Sequence, residues 1–244
     1  MTTLRSALFN LLFFSGTLVL ALLSLPTLLL PKDYLFVSYR LWARMTAFLL
    51  KHICGITWRV TGDIPPEGGG YITAGKHQSA WETILLSLVL DRPAFVLKKE
   101  LNWLPLIGWY IWKLDMIPID RSAGSAALRA MLGAARQAAK DGRPIVIFPE
   151  GTRVAPGTSK PYQPGVAALY RQLDMPIHPF ALNSGQVWPR QSWRKYPGAI
   201  EVRFLPQIPP GLKKAELLET LKSTIEPASD ALLSTQQNNP VEKA

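Results

Sequence analysis

The sequence predicts an α/β domain with a mixed, largely parallel sheet flanked by helices, preceded by an N-terminal membrane-associated helical pair. Three observations predict it. From residue 56 onward, short β-rich apolar runs alternate with helical runs, the pattern of strands joined by helical crossovers. Residues 6–31 carry no charge and are dominated by Leu, Phe, Val and Ala. The chain has 244 residues, 48% of them apolar, which is enough for one catalytic domain plus an appendage.

The N-terminal run over 7–30 would extend about 36 Å as a helix, enough to cross a hydrocarbon core of about 30 Å with some tilt. Gly16 and Pro26 interrupt it but are tolerable in a membrane helix. A cleaved signal peptide would want a shorter apolar core. Residues 34–50 are apolar but contain Arg40 and Arg44, with Lys51 just beyond. On a helix these three fall within about 40° of one another. That narrow basic stripe, with Tyr39 and Trp42 at headgroup level, predicts an interfacial helix on an anionic leaflet. The positive charges follow the first segment, so the remainder of the chain is expected on the cytoplasmic side of the inner membrane.

Within the domain, strands are predicted at 56–60, 71–74, 94–97, 114–119, 145–148, 177–182 and 200–204. Helices are predicted at 81–90, 123–141, 166–173 and 215–233. Residues 1–54 form the anchoring unit and 55–235 the catalytic domain. The polar stretch 236–244 reads as a disordered tail.

A formal net charge of +10 calls for an anionic partner. Coupled with the high apolar content, it favours lipid over nucleic acid. The basic residues are also dispersed rather than clustered. The single cysteine, Cys54, excludes an internal disulfide and a cysteine-rich metal site, and reads as a small buried apolar residue.

The first chemical constellation is Lys76-His77-Gln78-Ser79-Ala80-Trp81-Glu82. It starts where a predicted strand ends, the place where α/β folds hold ligands. Ser79 and Glu82 have the spacing of a capping box, which leaves His77 in the loop before the helix. Inside one helix, His77 and Glu82 would be rotated about 140° apart. With His77 outside it, the loop can fold back and Glu82 can accept the Nδ1 hydrogen. Nε2 is then left to take a proton from an alcohol. The plain alternative makes Glu82 only a cap. His52 lies beside the interfacial helix, and His178 in a buried strand reads as a satisfied core residue.

Phe148-Pro149-Glu150-Gly151-Thr152-Arg153 follows another strand. Proline ends the strand, Gly151 permits a tight turn, and Arg153 can fork onto phosphate oxygens. Glu150 is positioned to orient Arg153 or a substrate hydroxyl. Arg121, in Ile119-Asp120-Arg121-Ser122, is a second anion-binding candidate, and Lys98 and Lys99 add charge at a third strand end.

In this order the constellations resemble the lysophosphatidic acid (1-acyl-glycerol-3-phosphate) acyltransferases, within the wider glycerolipid acyltransferase superfamily. His77 and Glu82 match the spacing of that family's H-x-x-x-x-D motif. Lys98-Lys99-Glu100-Leu101 running into Ile119-Asp120-Arg121 is similar to its second block. Residues 148–153 are similar to the third, and Pro176-Ile177-His178-Pro179 with Ala181-Leu182-Asn183 to the fourth. The resemblance covers about residues 70–183. It implies that His77 and Glu82 deprotonate a glycerol hydroxyl for attack on an acyl thioester, with no covalent acyl-enzyme. Arg153, with Arg121 and Lys98, would hold the acceptor's phosphate, beside Glu150, Gly151 and Thr152. The implied donor is acyl-CoA or acyl carrier protein, with no metal and no bound cofactor. Glu82 departs from the family's usual Asp, which leaves another lysolipid acceptor open, such as a lyso-ornithine lipid. A non-catalytic membrane-surface binding protein is the rival of a different class.

Overall fold

The computed structural model describes residues 1–120 and 124–238. Their strands are β1 (Ile56–Gly62), β2 (Ile72–Gly75), β3 (Ala94–Lys98), β4 (Ile117–Ile119), β5 (Ile145–Ile147), β6 (Ile177–Leu182) and β7 (Gly198–Phe204). They form one sheet in the order β1-β7-β6-β2-β5-β3-β4. Every pairing is parallel except β6 with β7. The carboxyl ends of β6, β2, β5, β3 and β4 therefore share one edge. β1 and β7 run the other way, so their first residues lie at that same edge. The central strands β2, β5 and β6 are buried along their whole length, as expected for strands covered on both faces.

The helices are α1 (Thr2–Leu23), α2 (Lys32–Leu49), α3 (Trp81–Val89), α4 (Ile107–Lys113), α5 (Gly124–Lys140), α6 (Pro164–Leu173) and α7 (Lys214–Asn238). One face of the sheet is covered by α2, α3 and α4. There Phe36, Leu50, Trp81 and Leu85 pack with Phe148, Phe180 and Phe204. The other face is covered by α5, α6 and α7, where Met131, Leu169 and Leu221 pack on Ile72, Ile145 and Ile177.

The apolar N-terminal run is not one continuous helix over 7–30. α1 ends at Leu23, and Leu25–Leu29 is a 3₁₀ segment with Pro26 in its first turn, where a proline lacks the N–H that would continue an α-helix. Most of the circumference of α1 is exposed, including Leu4, Leu8, Leu11, Phe14, Leu18 and Leu22. Its inner side is tied to the domain at both ends. Near its start, the Lys195 N–H donates to Ser6 Oγ at 2.9 Å and Asn10 Nδ2 to the Trp193 carbonyl at 2.9 Å. Near its end, the Tyr110 hydroxyl donates to the Ala21 carbonyl. α1 therefore lies along the domain rather than projecting from it.

α2 packs one face into the domain and leaves Tyr34, Val37, Leu41 and Phe48 exposed on the other. Leu35, Phe36, Ala43, Thr46 and Ala47 are buried. Arg40 is paired with Asp91 at 2.8 Å, which takes it out of the expected basic stripe. Trp42 stacks on Tyr39 and donates to Thr17 Oγ1 at 2.9 Å. Both rings therefore sit between helices. The expected strand over 114–119 shortens to β4. The residues before it form α4, and Asp115 turns the chain with φ of 49°. At the C-terminus α7 continues to Asn238, past the expected start of the tail, and residues 239–244 lie outside the described residues.

Candidate active site

β2 delivers the first constellation. Its last residue, Gly75, has room for no side chain: a Cβ there would lie 2.4 Å from the Phe180 carbonyl oxygen of β6. The chain then leaves the sheet through Lys76 and His77 before α3 begins at Trp81. Ser79 lies one residue before the N-cap, Ala80, and supplies contacts like those of the expected capping box. Ser79 Oγ accepts the Trp81 N–H at 2.9 Å, and Glu82 Oε1 accepts the Ser79 N–H at 2.7 Å. The two halves satisfy amides that a helix start leaves free.

The same carboxylate reaches His77. Nδ1 of His77 lies 3.3 Å from Glu82 Oε1, so the loop does fold back across the five-residue spacing. A carboxylate at Nδ1 selects the tautomer with its proton there. The His77 side chain keeps 18% of its surface exposed, whereas Glu82 has none. The imidazole is held flat against Phe148, with ring centroids 4.0 Å apart and planes 16° from parallel. Glu82 Oε1 also accepts the Gln78 N–H, and Oε2 accepts the hydroxyls of Ser79 at 2.7 Å and Ser184 at 3.0 Å. Burial pushes the Glu82 carboxyl up. The hydrogen bonds from His77 and Ser79, with the charge of His77, outweigh burial and hold it below the usual glutamate range.

The third constellation leaves β5 beside this loop. Gly151 takes φ of 69°, and its N–H closes a turn on the Phe148 carbonyl at 2.8 Å. The Val154 N–H donates to the His77 carbonyl at 2.8 Å, which brings Arg153 to the residue next to that bond. Arg153 is exposed, and no ion pair to it forms among the described residues. Thr152 and Gly151 are half-buried.

Glu150 does not orient Arg153. Its Oε1 accepts Lys76 Nζ and the Lys160 N–H, both at 2.9 Å. Lys76 also donates to Glu226 Oε2 of α7 at 2.6 Å, and Tyr162 donates to Glu226 Oε1 at 2.9 Å. Burial raises the Glu150 carboxyl, and Lys76 offsets this only in part. Its Oε2 is buried and has no protein partner.

Lys98 is exposed at the carboxyl end of β3, and Lys99 pairs with Asp120 at 3.4 Å. Arg121 lies outside the described residues. His178 is buried and T-shaped against Tyr71, but it is not satisfied: its Nδ1 has no partner. His52 is exposed and packs on Phe48. Cys54 is buried, and burial pushes its thiol up to about 11, as for an inert core thiol. Among the described residues, no group of three or more His, Cys, Asp or Glu side chains is placed to hold a metal ion.

A family profile described as Acyltransferase matches residues 57–183, which spans all of these loops. The chain is 37% identical over 204 residues to a 1-acyl-sn-glycerol-3-phosphate acyltransferase of Pseudomonas aeruginosa, covering 82% of this chain and 78% of that one. This chain belongs to the acyltransferase family. It is also 29% identical over 206 residues to the mouse 1-acyl-sn-glycerol-3-phosphate acyltransferase alpha, covering 82% of this chain and 71% of that one. The fold of this acyltransferase matches the crystal structure of a 1-acyl-sn-glycerophosphate acyltransferase from Thermotoga maritima. The TM-score is 0.77 at 20% identity, over 96% of this chain and 98% of that one.

Several residues that build this acyltransferase's site are silent in the sequence. Ser184 follows Asn183, the last residue of the fourth family-like block, so its neighbourhood was visible but its reach to Glu82 was not. Gln78 accepts the Gly185 N–H at 3.0 Å and so ties the loop after β6 to the His77 loop. Glu226 and Tyr162 carry no motif, and the bonds of Glu226 to Lys76 and Tyr162 depend on where α7 crosses the sheet.

Proposed function

We propose that this acyltransferase moves a fatty acyl group from acyl-CoA or acyl carrier protein to the free hydroxyl of 1-acyl-glycerol-3-phosphate. The observation that carries this reading is the buried, ionised Glu82 holding Nδ1 of the partly exposed His77 at a sheet edge. His77 Nε2 takes the proton of the acceptor hydroxyl as that oxygen attacks the thioester carbonyl. The tetrahedral intermediate collapses by breaking the C–S bond. The His77 imidazolium returns the proton to the leaving thiolate. General base catalysis of this kind contributes about 10² to 10⁴ in rate. Arg153 binds the acceptor phosphate, with Lys98 and Arg121 as further cations, while Gly151 and Thr152 line the same turn. Support for a lysophosphatidic acid acceptor comes from the names of the bacterial and mouse relatives. The apolar α1 and the net charge of +10 support an anionic inner membrane as the place of work, with the domain on its cytoplasmic side.

The lengthened acid, Glu82, motivates a panel of acceptors. Purified enzyme is given labelled acyl-CoA or acyl carrier protein with 1-acyl-glycerol-3-phosphate, a zwitterionic lysophospholipid or a lyso-ornithine lipid. The reading expects transfer to 1-acyl-glycerol-3-phosphate. Transfer only to one of the others would reassign the acceptor.

A further inference from the structure

The segment between β3 and β4 exposes an apolar surface that the chemistry does not use. Leu101, Trp103, Leu104, Ile107, Trp109 and Trp112 are all exposed, Trp103 at 80% and Trp112 at 77%. Trp109 and Trp112 are three apart on α4 and project from one side of it. The segment is folded on itself and not loose. Gly108 is buried where a Cβ would lie 2.0 Å from the Asn102 carbonyl oxygen. Arg143, itself buried, donates to the Leu114 carbonyl at 2.9 Å and the Asp115 carbonyl at 3.3 Å, which pins the end of α4.

This ridge adjoins the apolar N-terminal helix. Tyr110 donates to the Ala21 carbonyl, and α4 packs on Leu25–Leu29. Leu22, Leu23 and Leu29 of that neighbouring region are exposed too. The far rim is polar. A shallow hollow of about 240 Å³ beside Trp112 is lined by Lys32, Lys113 and Asp115, with Lys32 bonded to both Asp115 and Asp141 at 2.9 Å. At the near rim Lys98 and Glu100 are exposed, and Lys99 pairs with Asp120 at 3.4 Å.

We propose that the Trp103–Trp109–Trp112 ridge is a second membrane contact. It seats its indoles at the headgroup level of an anionic bilayer, on the side of the molecule where α1 exposes its apolar face. Indole rings favour that level because one edge is polar and the body apolar. A contiguous exposed apolar surface of this kind marks an interaction site. Continuity with the exposed apolar side chains of α1 selects lipid over a second copy of the chain. The two contacts together hold the sheet edge bearing His77 in a fixed relation to the leaflet. The proposal rests on membrane association and not on the identity of the acyl acceptor.

The single native cysteine is buried, so a nitroxide label goes to an introduced one. Trp109→Cys and Trp112→Cys are labelled in the full chain, with Arg129→Cys on the exposed side of α5 as the control in water. Each is mixed with vesicles of 3:1 phosphatidylcholine and phosphatidylglycerol. Collision with oxygen and with a water-soluble nickel chelate is then measured by electron paramagnetic resonance. Labels at 109 and 112 are expected to gain oxygen and lose nickel accessibility on vesicles, while 129 stays unchanged. Equal nickel accessibility at all three sites on vesicle-bound protein overturns the proposal. So does spin–spin broadening at 109 and 112 without vesicles, which would assign the ridge to a second copy of the chain. Trp109→Ser combined with Trp112→Ser should lower the vesicle partition coefficient about tenfold, and unchanged partition would also count against it. None of these readouts depends on acyl transfer, so they stand apart from the outcome of the acceptor panel.

Discussion

Glu82 accepts from five donors: His77 Nδ1, the Gln78 and Ser79 amides, and the hydroxyls of Ser79 and Ser184. A buried carboxylate needs such partners to remain ionised, and an ionised one is required to hold the His77 tautomer. Ser184 is the donor that comes from another strand end. Ser184→Ala should lower kcat about tenfold, or ~1.4 kcal/mol, with KM for the acceptor little changed; an equal rise in KM would argue against a positioning role. Glu82→Asp withdraws the carboxylate by about one carbon–carbon bond, and misplacement of ~1 Å costs up to about 10² in rate. Steady-state kinetics on the purified variant checks it. Because the Glu82 carboxyl is held below its ordinary value, its contribution to stability is present above the unfolded value, about 4.3. That contribution is lost as pH falls through the lowered folded value. Urea midpoints measured across that window should fall more steeply for the wild type than for Glu82→Gln. The His77–Glu82 spacing and the capping signature were legible because they are local. Ser184 was not, because its partnership requires β6 to lie beside β2.

At the scale of elements, the parallel set of strands explains why separated motifs converge. β2, β5 and β6 pair in parallel, so the loops after Gly75, Ile147 and Leu182 emerge side by side. Gly75→Ala would drive a Cβ into the Phe180 carbonyl, a backbone atom that cannot rotate away. We expect a loss of about 1–3 kcal/mol by chemical denaturation, together with reduced turnover, since His77 is two residues on. Lys76 stitches β2, β5 and α7 through Glu150 and Glu226. Lys76→Met would leave two buried or half-buried carboxylates without their cation and should cost about 3–5 kcal/mol; adding Glu150→Gln should restore part of it. A double-mutant cycle on thermal or urea unfolding measures that coupling. The strands and long helices showed in the sequence because their apolar periods are plain. α4 did not: Trp109, Tyr110, Ile111 and Trp112 are apolar all round, and such a run reads equally well as extended chain until Asp115 turns it.

For the whole molecule, the arrangement joins a catalytic sheet edge to an apolar exterior. α1 is tied to the domain at Ser6 and Asn10 near one end and at Ala21 near the other. A helix held at both ends along the domain is expected to keep its two termini on one side of the bilayer. Thiol-accessibility reporters placed at residue 2 and after Leu50 should therefore respond alike to an impermeant reagent in oriented membrane vesicles; opposite responses would mean that α1 crosses. The length and composition of α1 were legible in the sequence, but its docking was not, because it depends on Trp193 and Lys195 far along the chain. The central claim is that His77, oriented by Glu82, is the base for acyl transfer to 1-acyl-glycerol-3-phosphate. Its most direct test is the rate of labelled acyl transfer to that acceptor by wild type and His77→Ala, matched for folding and vesicle binding. The account predicts a fall of about 10² to 10⁴ in kcat with vesicle binding unchanged, and wild-type turnover by His77→Ala would contradict it.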